Sequence, residues 1–322
     1  MEILNQVIEP GKTYQLSLDI ARLHTRTKID VPVIVSRSKK PGPVVLITAG
    51  IHGNEINGIE IVRQFIAKKY HKPSSGTIIC VPVLNVFGFI IKSRYFPDGR
   101  DLNRVFPGTK SGSLASKFAF EFMNKIVVHA DYCIDFHTGG DARFNFSQLR
   151  ISDGDNELIE IAKSFGTKFI KISSSQDKSY RYSATQLGKK VILFEGGKSQ
   201  DLDRLVTKSG FNGLLKVLAH IGVIKRNLEA ESALPEKTQV LFSESKWVRA
   251  SSSGLYRSFI RNGVHVNKGD VIGTISDPYG FYEKSIISPL DGYIICLNHA
   301  PIVTKGDALA HIAFNVKEFK KE

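Results

Sequence analysis

PVVLITAGIHGNEINGIEIVRQFIAKKY, residues 43–70, carries a strand, a turn and a helix in one stretch. Val44 to Ala49 form an unbroken apolar run of strand length. A sheet with one wet face would alternate, so this run predicts a strand covered on both faces. Gly50 and Gly53 then punctuate a turn. Over 55–70, Ile56, Ile59, Val62, Phe65 and Ile66 recur at helical spacing and predict a helix with one buried face. The same alternation continues outward. TIICVPVLN (77–85), YCIDFHT (132–138) and KVILFEGG (190–197) read as further buried strands. Residues 113–129, with Ser113 as cap, 155–166 and 201–221 read as helices. YQLSLDIARL and KIDVPVIVSR, within the first 37 residues, read as extended. Apolar strands alternating with helices predict an α/β domain over residues 1–227, its mixed central sheet flanked by helices.

The pattern changes at NLEAESALPEKTQ (227–239), which is polar, aperiodic and interrupted by a proline, and reads as a linker. Beyond it the helical period stops. VLFSESKWVRA, GLYRSFI, DVIGTIS, KSIISP, GYIICL and ALAHIA follow at intervals of about ten residues, separated by NKGD, DPYG, PLDG and TKGD turns. Residues 240–322 therefore read as a small all-β domain. Val266-x-Lys268-Gly269-Asp270 is echoed by Val303-x-Lys305-Gly306-Asp307, which predicts an internal duplication of two interlocked halves.

At 322 residues, 42% apolar and 23% charged, the chain has an ordinary globular composition and is long enough to bury a core. No run of 18 apolar residues is present, so no membrane span is expected, and the N-terminus has no apolar signal region. Cys80, Cys133 and Cys296 are odd in number, lie in apolar runs and form no Cys-x-x-Cys pair. They read as buried reduced thiols of a cytoplasmic protein. The net charge of +13 is carried mostly by residues before 240. The basic residues come no denser than pairs such as Lys39-Lys40, with no basic stripe interleaved with aromatics. This argues against nucleic acid and for small acidic substrates.

The turn after the first buried strand, GIHGNEINGIE (50–60), sets His52 three residues before Glu55. Strand ends of this kind are where open α/β sheets place their sites. His137 ends a second buried strand before two glycines and is the natural third ligand. Two histidines and one glutamate leave a fourth position open, the arrangement of a catalytic zinc rather than a structural one. No His-x-x-x-His occurs, so the helix-borne zinc-protease motif is absent. Glu195, a carboxylate ending an apolar strand, is the best candidate base. SRYFPDGRDLNRVFPG (93–108) offers Arg94, Arg100, Asn103 and Arg104 in one loop. Its flanking Phe96, Leu102, Val105 and Phe106 argue that the loop is packed down, and arginines so held suit bidentate recognition of carboxylates.

GIHGNE, GRDLNRVFPG, DFHTGG and LFEGG, in this order and at these separations, resemble the succinylglutamate desuccinylase/aspartoacylase family, a branch of the zinc-carboxypeptidase fold. The resemblance runs from about residue 40 to about residue 315. It implies one zinc per chain on His52, Glu55 and His137, with Glu195 as general base and acid. It further implies Asn103 and Arg104 on the substrate carboxylate and Arg94 on the scissile carbonyl, with Arg100 competing for that last role. The expected activity is hydrolysis of an N-acyl amino acid or a related small acidic amide. A carboxypeptidase using the same constellation, and a non-catalytic binding module, are the alternatives. Homo-oligomers are compatible with this reading. The C-terminal part also resembles a biotinyl/lipoyl hammerhead through Val-x-Lys-Gly-Asp and Ile287-Ser288-Pro289-Leu290-Asp291-Gly292. Phe281 stands where a carrier lysine would be and Lys284 is displaced by three, which implies a structural or site-capping role.

Overall fold

The computed structural model describes residues 1–22, 26, 28–225 and 238–320, so most of the 227–239 linker lies outside the described residues. Four strands form the parallel heart of the main sheet, in the order Lys190–Lys198, Tyr132–Gly139, Val44–Ala49, Thr77–Val81. The antiparallel strands Lys28–Arg37 and Thr13–Arg22 extend it on one side, and Arg143–Ile151 flanks it antiparallel on the other. The sheet is therefore mixed, as the alternation of strand and helix implied. All five residues of Thr77–Val81 are buried, which is why the strand shows no alternation.

Helices cover both faces. Ile56–Ala67, Asn156–Phe165 and Arg204–His220 pack Ile61, Phe65, Phe165 and Leu214 into one core. Leu114–Lys125 and Tyr180–Gln186 pack Phe118, Phe122 and Tyr180 into the other. Ser113 caps its helix by accepting from Ser116 N, as the sequence implies, while Asp155, Ser179 and Asp203 do the same for theirs. Each such cap is worth about 1 kcal/mol.

Among the elements that the sequence reading passed over are the strands Arg143–Ile151 and Phe169–Ile172 and the helix Tyr180–Gln186. They join the main domain to the C-terminal region. Arg143–Ile151 forks on its outer side. Its first residues pair antiparallel with Gly292–Asn298, through Cys296 opposite Asn145, and its last four pair parallel with Phe169–Ile172. Phe169–Ile172 in turn pairs with Thr238–Phe242. Backbone hydrogen bonding thus runs without a break from the Val44–Ala49 strand to the strands after residue 238.

The C-terminal region is all β among its described residues and adds a four-stranded sheet of Glu283–Ile287, Val271–Ser276, Gly254–Ser258 and Ile302–Val303. The two Lys-Gly-Asp turns match in geometry. Gly269 and Gly306 both sit at φ +96°, Asp270 accepts from Asn267 N at 2.8 Å, and Asp307 accepts from Thr304 N at 2.7 Å. No helix among the described residues is long and apolar enough to cross a membrane.

Candidate active site

The chain leaves the Val44–Ala49 strand through Gly50 at φ +64°, a left-handed conformation that glycine adopts without strain. Gly53 lies against Gly88, where a Cβ would come within 2.0 Å of backbone atoms, so only glycine allows this close approach. The turn so formed projects His52 inward and places Glu55 at the N-cap of the Ile56–Ala67 helix. Glu55 does not cap that helix with its side chain. Its carboxylate turns into the site instead, with Oε1 2.7 Å from His52 Nδ1 and Oε2 3.2 Å from His137 Nδ1. Thr138 N also donates to Oε2 at 3.0 Å. Burial opposes ionisation of Glu55, yet the charges and hydrogen bonds of His52 and His137 hold its carboxyl well below the usual range.

His52, Glu55 and His137 each offer one ligand atom within 4.8 Å of the others, and all three are buried. The remaining nitrogen of each histidine meets a carboxylate. His52 Nε2 lies 3.1 Å from Asp101 Oδ1 and His137 Nε2 lies 2.7 Å from Asp135 Oδ2. Asp135 is itself fixed by Thr48 Oγ1, which donates to its other oxygen at 2.6 Å. Carboxylates behind histidines set the tautomer and ring orientation that metal ligation needs. Two imidazole nitrogens and one carboxylate oxygen, so oriented, fit zinc.

Glu195 sits in the register of the parallel pair opposite His137. Asn145 Nδ2 donates to its Oε2 at 2.7 Å, and Arg150 Nη1 lies 3.3 Å from Oε1. The antiparallel register shifts between Glu195 and Gly197, which brings Asn145 opposite Gly197, while Arg150 stands opposite Leu193 before the shift. Arg94 is held by Asp101, to which Nε and Nη2 donate at 3.0 and 2.8 Å, while its Nη1 lies 3.3 Å from Glu55 Oε1. Asn103 Oδ1 accepts from Tyr180 N at 2.8 Å, which leaves the amide NH2 to donate. Arg104 Nη1 donates to Asn103 O at 2.7 Å.

These groups line one cavity of about 460 Å³. It gathers His52, Glu55, Arg94, Asn103, Arg104, His137 and Glu195, every expected site residue except Arg100. Arg100 lies outside the cavity lining. Its side chain is 59% exposed and lies 3.7 Å from Asp98, because the loop turns back there through Phe96 N donating to Arg100 O. Arg94 stands beside His52 and Glu55. Cys80, Cys133 and Cys296 are free and buried, and burial pushes the thiols of Cys133 and Cys296 up to about 12.

The sequence reading missed the cavity wall made by Arg150, Lys171, Arg181 and Trp247. Trp247 comes from the C-terminal region and stacks on His311 at 4.1 Å between centroids. Lys171 Nζ donates to Ser245 Oγ at 2.8 Å, tying the wall to the same C-terminal strand. Asp135 also went unread, though it stands two residues before His137 and so on the same strand face.

Comparison with known proteins places this geometry. Residues 41–221 match the model of the succinylglutamate desuccinylase/aspartoacylase catalytic domain. An N-alpha-acetyl-L-2,4-diaminobutyric acid deacetylase of Halomonas elongata is 27% identical over 303 residues, covering 88% of this chain and 85% of that protein. A succinylglutamate desuccinylase of Pseudomonas aeruginosa is 28% identical over 212 residues, covering 60% of this chain and 62% of that protein. Among solved structures, a succinylglutamate desuccinylase/aspartoacylase of Rhodobacter sphaeroides superposes with a TM-score of 0.84 at 21% identity over the whole of both chains. A product-bound ectoine utilization protein of Ruegeria pomeroyi gives a TM-score of 0.85 at 22% identity, covering 96% of this chain and 98% of that one. The chain belongs to the succinylglutamate desuccinylase/aspartoacylase family of deacylating hydrolases.

Proposed function

We propose that this protein is a zinc-dependent deacylase that hydrolyses the amide bond of an N-acyl amino acid. The observation that carries the reading is the convergence of His52, Glu55 and His137 in the cavity that also holds Glu195. Zinc, one per chain, supplies an activated water and polarises the acyl carbonyl when bound there. Glu195 accepts the proton as water oxygen bonds to the acyl carbon, then delivers it to the nitrogen as the C–N bond breaks. The products are a carboxylic acid and a free amine. Arg94, fixed by Asp101, stabilises the negative charge that develops on the carbonyl oxygen. Asn103 and Arg104 hold a carboxylate on the amine half, Asn103 through its NH2 and Arg104 through its guanidinium. The region after residue 240 acts as a cap with the outline of a hammerhead, since Trp247 and Cys296 line the cavity. Three buried free thiols support a cytoplasmic location.

The test compares one N-acyl amino acid with its C-terminal amide, in wild type and Arg104→Lys. Wild type should lose about 2–5 kcal/mol in kcat/KM on the amide, because Arg104 is then left unpaired. The variant should discriminate weakly. Equal rates on acid and amide in the wild type exclude this anchor.

A further inference from the structure

We propose that a second cavity, at the far end of the main sheet from His52 and Glu55, binds an oligophosphate, either free or as the phosphate end of a larger metabolite. The proposal is independent of the deacylase reading. The cavity holds about 560 Å³ and shares no lining residue with the one that contains Glu195. Five cations line it, Lys12, Arg37, Lys39, Lys40 and Lys72, and no acidic residue does. Arg37 pairs with Thr77, and Thr77 with Val44, the first residue of the strand that ends before His52. That strand is six residues long. Its two ends therefore stand about 20 Å apart.

The sequence sets Arg37, Lys39 and Lys40 close together, and the fold adds Lys12 and Lys72 from two distant segments. Hydrogen bonds tie the segments into one frame. Gly11 N donates to Arg37 O at 2.8 Å, Arg37 N to Lys12 O at 3.0 Å and Ser38 N to Gly76 O at 2.9 Å. Ser38 Oγ donates to Ser74 O at 2.9 Å. The side chains are placed as well. Arg37 Nη1 donates to Ile8 O at 2.8 Å, which fixes the guanidinium. A Cβ on Gly11, which sits at φ +79°, would come within 3.1 Å of Lys39 Cε and 3.2 Å of its Cγ, so the bare glycine is the bed of the lysine stem. Thr13 and the buried Ser36 add hydroxyls 2.9 Å apart to the same lining. None of the five cations has a carboxylate within ion-pairing distance among the described residues.

Like charges gathered in this way repel, and an anion that spans them removes the repulsion. The class of anion follows from what the lining lacks. No aromatic residue lines the cavity, so a nucleic acid base has no platform to stack on. Pro73 is the one apolar side chain in the lining, so a lipid surface has nothing to receive. Cations and hydroxyls remain, the donors that phosphate oxygens accept from, with Arg37 as a planar fork and the lysines as point charges. A single phosphate engages too few cations drawn from three segments, whereas a chain of two or three phosphates matches their number.

Calorimetry on the zinc-loaded protein tests this with orthophosphate, pyrophosphate, tripolyphosphate and ATP as probes. Tripolyphosphate should bind at least about tenfold tighter than orthophosphate, with pyrophosphate between them. ATP binding close to tripolyphosphate assigns the phosphate end of a larger metabolite, and ATP weaker by about tenfold or more assigns the free oligophosphate. The cavity beside His52 is also basic, so variants assign the heat. Lys39→Gln combined with Lys72→Gln should weaken tripolyphosphate by about tenfold or more, with kcat/KM on an N-acyl amino acid unchanged. Lys208→Gln combined with Lys268→Gln removes the same charge from exposed positions elsewhere. That pair should leave the affinity within about twofold of wild type, because distant exposed charges are screened. Tripolyphosphate should also raise the melting temperature of the wild type and of the second double variant, but not of the first. Three results overturn the site: orthophosphate bound as tightly as tripolyphosphate, equal weakening by the two double variants, or binding untouched by Lys39→Gln with Lys72→Gln.

Discussion

The candidate metal corner and the basic wall line the same cavity, but their charges are settled in opposite ways. At the corner, Glu55, Asp101 and Asp135 answer His52, His137 and Arg94 through contacts of 2.7–3.3 Å. At the wall, Arg150 and Arg181 each keep a buried nitrogen without an acceptor. A corner satisfied by the protein itself is pre-organised, so its geometry precedes any substrate. A wall left short of acceptors is completed by what binds. Chemistry and selectivity are therefore expected to respond to different substitutions.

The largest effect should come from His137→Ala, which removes one of the three buried candidate ligands. Zinc content should fall from about one per chain toward zero, with turnover lost, as read by elemental analysis. Next is Glu195→Gln, which keeps size and one hydrogen-bonding edge but removes the base. Turnover should fall about 10²–10⁴-fold with zinc retained, and a fall under threefold would mean that Glu195 is not the base. Asp135→Asn is milder, because it only loosens the hold on His137. Zinc affinity should weaken by about 10–100-fold in chelator competition, and unchanged affinity removes Asp135 from the metal's support.

The smallest effect is a pH dependence of the wall. Lys171 is lowered from 10.5 to about 8, so its cation is present below pH 8 and lost above it. A bound carboxylate favours the charged form and moves the loss upward. The KM for an N-acyl amino acid should therefore hold near pH 7 and rise by a few-fold between about pH 8 and 9.5. It should stay flat in Lys171→Arg, and a wild-type KM that falls over this range contradicts this role for Lys171.

Why the corner was legible and the wall was not follows from where the residues stand. His52 and Glu55 follow one buried apolar strand and His137 stands near the end of another, the place where α/β sheets put their sites. Asp101 lay inside the quoted arginine loop, where its neighbours drew the reading, yet it orders Arg94 and backs His52. Arg150, Lys171 and Arg181 come from a strand whose register shifts at the site, a four-residue strand and a seven-residue helix. The two short elements give too little period to be read. The turn signals also hid that the C-terminal strands continue the main sheet, because pairing such as Asn145 with Cys296 joins residues 151 apart, and no local pattern reports it.

Zinc-dependent hydrolysis is the central claim, and one measurement tests it directly. The purified protein is stripped with chelator and titrated with zinc while hydrolysis of an N-acyl amino acid is followed. Activity should be absent in the stripped protein and rise linearly to a plateau at one zinc per chain. Undiminished turnover in protein shown to be metal-free contradicts the account.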